Sequence, residues 1–74
     1  MKPFDDFTPQ QLAEFWCIMN RGGWPRALGP SEDATCLKRL QWDIVRKIGF
    51  KACMRAWSGL DEAEFEREWA KDAR

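Results

Sequence analysis

Three cysteines, Cys17, Cys36 and Cys53, are the residues of this 74-residue chain best suited to covalent or metal chemistry. They lie 19 and 17 positions apart, with no C-x-x-C pair, and histidine is absent altogether. No imidazole is there to activate a thiolate or to complete a zinc site, so the thiols are read as three reduced, small core hydrophobes. Tyrosine is absent too, and Asp5-Asp6 stands as a lone acidic pair ahead of a helix. Ser31 and Ser58 fall at helix ends, where capping accounts for a hydroxyl without catalysis. The phosphate-cradling, dinucleotide, nucleophile-elbow and H-E-x-x-H patterns do not occur. No catalytic residue, no cofactor and no metal site is expected, and the chain is read as non-enzymatic.

The chemistry left is recognition. Five Trp and five Phe in a chain this short exceed what one small core can bury. Aromatic residues and Arg dominate binding hot spots because they cover much area and keep a polar handle. Trp42 stands among Lys38, Arg39 and Arg46, and Trp24 lies beside Arg26 in a glycine-proline loop. These six are the candidate partner-binding residues. The competing expectation for Trp24 is a lid closing over the junction of the first two helices.

The elements that must position these residues are helices. Thr8-Pro9-Gln10-Gln11 spells a capping box with proline at the first helical position, and Phe7 and Leu12 are spaced as a hydrophobic staple. Leu12, Phe15, Trp16 and Met19 then form one apolar stripe, stopped by Gly22-Gly23. The segment from Gly22 to Pro30 reads as a loop. Ser31-Glu32-Asp33 opens a second helix whose stripe is Leu37, Leu40, Gln41, Ile44 and Ile48. Beyond Gly49, Phe50, Cys53, Met54 and Trp57 make another stripe, ended by Ser58-Gly59. Asp61 caps the last helix with Glu64 answering, Leu60 and Phe65 are spaced as its staple, and Phe65 and Trp69 form its narrow seam. The expectation is one domain over 1–74, an all-α bundle of three to four short helices at about 9–21, 32–48, 50–57 and 61–72.

At about 100° per residue, Trp42 falls roughly 140° from Leu37, away from Leu40 and Ile44. An unbroken helix through Gly49 would put Phe50, Cys53 and Trp57 on that same far side. The first alternative is that Gly49 breaks the helix and re-aims the second stripe at the shared core. Otherwise a long helix buries two faces, which calls for a homodimer or a bound partner.

Twelve Lys plus Arg balance twelve Asp plus Glu, but unevenly. Residues 1–20 sum to −2, 21–55 to +5 and 56–74 to −3. This is a polarised surface, or else the last helix lies over the basic one. The N-terminus has no signal-like apolar run and no stretch is long enough to span a bilayer, so a cytoplasmic protein with no membrane partner is expected. Residues 38–55 resemble a helix-turn-helix in part, with Gly49 as the turn glycine. Val45 stands where that motif wants a small residue, and Arg55 and Ser58 where it wants apolar ones. A small DNA-binding regulator is thus the second functional expectation, weakened by zero net charge, and an adaptor subunit of a larger assembly is the third. The first is a protein-binding module with a protein partner. The chain begins at Met1, reads as complete, and has the character of phage or mobile-element accessory proteins that block a host complex, anti-CRISPR proteins included. No residue motif carries that likeness.

Overall fold

A computed structural model of the chain describes residues 4–30 and 37–72, and in it the protein is a small all-α bundle. Four α-helices follow in order: α1 (Pro9–Asn20), α2 (Leu37–Ile48), α3 (Phe50–Ser58) and α4 (Glu62–Asp72). Short 3-10 turns at Phe4–Asp6 and Arg26–Leu28 complete the described elements.

α1 starts where its first residues say it must. The Thr8 hydroxyl accepts from the Gln11 N–H at 3.1 Å, and the Gln11 side chain accepts from the Thr8 N–H at 2.8 Å. Two otherwise orphaned donors are thereby satisfied. Phe7 packs against the core and meets Phe15 edge-on, with centroids 4.9 Å apart. At the other end Gly22 takes a φ of +87°, the Gly23 N–H reaches back to the Ile18 carbonyl and the Gly22 N–H to that of Met19. That is a Schellman motif, which favours glycine at the position after the cap.

α1 is the hub. Six of its twelve residues are buried: Leu12, Ala13, Phe15, Trp16, Cys17 and Met19. α2 contributes Leu40 and Ile44 to the same core, and α3 contributes Cys53. The Gln41 amide bridges α2 to α1, donating at 3.4 Å to both the Trp16 carbonyl and Asn20 Oδ1. The loop after α1 is less passive than its composition implies. Leu28 and Pro25 are among the most deeply buried side chains of the chain. Burying a Leu of this kind contributes about 1.5–3 kcal/mol, so the loop is anchored.

The start expected at Ser31-Glu32-Asp33 lies outside the described residues, as does Cys36. The joint between α2 and α3 is Gly49, at φ 90° and ψ 149°. It ends α2, donating its N–H to the Val45 carbonyl, and α3 begins at the next residue. The break re-aims the second stripe, but only in part. Cys53 is fully buried and Met54 packs on the core, whereas Phe50 and Trp57 remain 52% and 41% exposed. Two residues of that stripe join the core and two stay at the surface of the short α3.

Asp61 is a cap, its Oδ1 accepting from the Glu64 N–H at 2.8 Å, so α4 begins at Glu62 rather than at 61. Ser58 closes α3, its hydroxyl donating to the Arg55 carbonyl and accepting from the Leu60 N–H. α4 meets the body mainly along α3. Phe65 is buried, Trp69 lies against it at 5.5 Å, and Lys51 holds both Glu66 (3.0 Å) and the Trp69 ring (5.8 Å). Basic middle and acidic ends therefore do complement each other locally, through Lys51–Glu66 and Lys47–Asp5.

Thr8→Ala and Asp61→Ala are each expected to destabilise the protein by about 0.5–2 kcal/mol, as cap removal does. Urea denaturation of the two variants against the wild type measures it.

Candidate partner-binding site

The outer face of α2 is where aromatic and basic residues converge. Lys38, Arg39 and Arg46 are exposed, and Trp42 among them is 61% exposed, the most open large apolar residue of the described chain. Its indole lies at the mouth of a groove of about 300 Å³ between α2, α1 and the first turn of α3. Trp16 and Asn20 of α1, Gln41 and Val45 of α2 and Phe50 of α3 line it with Lys38 and Trp42. Trp16 is buried and Val45 half-buried, so they form its depth; Trp42 and Phe50 stand at its edges.

The aromatic surface continues past the groove. Trp57 meets Trp16 edge-on, with centroids 6.1 Å apart and planes at 90°. The Arg21 guanidinium sits 5.3 Å above the Trp57 ring, a cation–π contact on the protein surface. Trp16 is thus shared between the two: it lines the groove and also packs against Trp57. Arg46 also pairs with Asp43 one turn back, at 3.4 Å.

Of the six residues singled out in the sequence, the structure brings Lys38 and Trp42 into the groove and leaves Arg39 and Arg46 exposed on the same helix. Trp24 is elsewhere. It is half-buried against the core, and its Nε1–H donates to the Gly29 carbonyl at 2.6 Å, closing its own loop. That is the lid geometry, and Arg26 is exposed on the 3-10 turn beside it. Phe50, Trp57 and Arg21 are surface residues that the sequence reasoning passed over. Phe50 and Trp57 lie beyond the break at Gly49, so the side they face follows from that joint and not from the helical spacing of α2. A second, more polar concavity of about 500 Å³ lies between α1 and α3, walled by Ala13, Ala52 and Ala56, and no aromatic residue lines it.

The described cysteines are buried thiols without a disulfide. Desolvation raises both, Cys53 to about 11, with the neighbouring Cys17 adding to the effect. A buried neutral thiol is inert packing. No three His, Cys, Asp or Glu side chains converge among the described residues in a way that could hold a metal ion. No described helix is long and apolar enough to cross a membrane. The joint between α2 and α3 is one residue, where a helix-turn-helix uses a turn of three or four.

No family model matches the chain, and no curated protein or solved structure is significantly similar to it.

Because the fold keeps Cys53 protonated while the unfolded chain ionises it near pH 9, its contribution to stability is full below pH 9. That contribution is lost as pH rises from about 9 towards 11. The wild type is therefore expected to lose more stability over this window than Cys53→Ala, which thermal melts of both at stepped pH would show.

Proposed function

We propose that this protein is a non-enzymatic protein-binding module that engages its partner through the outer face of α2. The observation carrying the proposal is Trp42: a large indole 61% exposed, ringed by Lys38, Arg39 and Arg46, beside a groove with an exposed Phe at its other edge. Leaving so much aromatic surface in water is unfavourable, at roughly 25 cal/mol per Å², and a partner that covers it recovers that free energy. Exposed aromatic and Arg side chains around a concave centre are also the residue set of interface hot spots. The narrower form of the proposal is a small inhibitor that occupies a surface of a larger host assembly, of the anti-CRISPR or a similar kind. It rests on this exposed aromatic face. DNA recognition by α2 and α3 has less support, since the joint is too short for that motif and the acids equal the bases.

The test separates binding from folding. Trp42→Ala is expected to weaken partner association by about 2 kcal/mol or more while leaving the melting temperature close to wild type. Trp16→Ala, in the core beside it, should lose about 3–5 kcal/mol of stability. Affinity capture from bacterial lysate, read by mass spectrometry for both variants and the wild type, measures the first effect, and thermal denaturation measures the second. Tight gel shifts of duplex DNA, abolished by Arg46→Ala with Lys51→Ala, would favour the regulator instead.

A further inference from the structure

We infer that the groove between Trp42 and Phe50 takes an acidic amphipathic helix of the partner, with large apolar side chains one turn apart seated in the groove and carboxylates set against Lys38 and its neighbours. The inference rests on the binding function proposed above and specifies its partner.

Three features lead there. The first is charge. The seven lining residues include one cation, Lys38, and no carboxylate, while Arg39 and Arg46 stand exposed on the same helix. Lys47, Lys51 and Arg46 are engaged within the chain by Asp5, Glu66 and Asp43, which leaves Lys38 and Arg39 as the cations of the outer face of α2 with no ion pair to a described residue. A partner of opposite sign is steered towards that face and held in register on it.

The second is shape. At about 300 Å³ the groove is at the low end of the range for built ligand pockets, about 300–1,000 Å³, and it is half open. It has room for apolar anchors rather than for a whole small molecule. Its walls are Trp, Val and Phe, with the Asn20 and Gln41 amides at the α1 side. The third is the backbone. The described chain has no strand, hence no sheet edge to which an extended peptide could add, and the groove runs between helices. An amphipathic helix laid into such a groove by its i, i+3 and i+4 side chains is the recognition mode that matches a groove between helices.

Other occupants fit less well. A second copy would have to offer an acidic surface with apolar anchors, and the acidic α4 already turns Phe65 and Trp69 onto its own α3. Single-stranded nucleic acid stacks on open aromatic rings but needs a row of cations along its phosphates, and this face supplies Lys38, Arg39 and an Arg46 already paired with Asp43.

Selection of a phage-displayed library of random helical peptides on the full-length chain tests this directly. The expected winners carry two large apolar residues at i and i+3 or i+4 with Asp or Glu beside them. A synthesised winner should lose affinity by roughly 30-fold or more on Trp42→Ala. Lys38→Glu should weaken it as well, and Lys38→Arg should restore it. Because Lys38 is exposed, that pair keeps the test decisive even if Trp42→Ala perturbs folding, which circular dichroism reports. Winners that depend on Trp42 but lack acidic residues would overturn the acidic occupant and leave the binding module standing. Failure to enrich any peptide dependent on Trp42 would overturn the groove as a helix site, and the lysate capture then decides the broader function separately. Trp42-dependent binding of oligothymidylate, or a Trp42-dependent dimer in sedimentation, would replace the inferred occupant with nucleic acid or with a second copy.

Discussion

α1 has half of its residues buried, and neither of the helices beside it could be placed without it. In a chain of 8.7 kDa the surface is large relative to the volume, and a single helix buried on several sides is the most economical core available. α2 offers Leu40 and Ile44 to it, α3 offers Cys53, and the loop between α1 and α2 folds Pro25 and Leu28 down onto the same cluster. Each partner of α1 is thus held by a few fully buried side chains and leaves its other faces in water.

That limited core explains why α2 can be two things at once. Its inner side supplies the layer on which α1 and α3 close, and nothing in the described chain is left to cover its outer side. α4 is occupied elsewhere: its seam of Phe65 and Trp69 lies along α3, fixed by Lys51. The acidic ends of the chain meet the basic middle at Lys47 and Lys51, at the edges of the bundle rather than over Trp42.

Much of this was legible in the residues, and the reason is locality. Caps at Thr8 and Asp61 depend on atoms three residues apart, so their sequence signatures translate directly into hydrogen bonds. The α1 stripe and the outward angle of Trp42 follow from helical periodicity alone. What periodicity cannot supply is the relative phase of two helices across a break. The positions of Phe50 and Trp57 depend on the angle at Gly49, and nothing in the spacing of apolar residues encodes that angle. Leu28 and Pro25 were missed for a related reason: a glycine-proline segment has no period, so buried residues within it look like any others. The apolar residues Trp24 and Leu28 in so short a loop were the one available hint that it turns inward.

Gly49 sits at φ 90° and ψ 149°, angles that residues of natural chirality essentially do not adopt. A Cβ there would meet nothing within 4 Å beyond the adjoining residues, so the obstacle to a side chain is the local backbone conformation and not tertiary packing. Any L-residue would have to leave these angles, and the aim of α3, which carries Cys53 and Phe50, depends on them. A D-residue would be tolerated far better, since the mirror image of these angles borders ordinary extended backbone. The width of the groove between Trp42 and Phe50 is therefore written neither in the indole nor in the phenyl ring, but in the absence of a stereocentre at the one residue between the two helices that carry them.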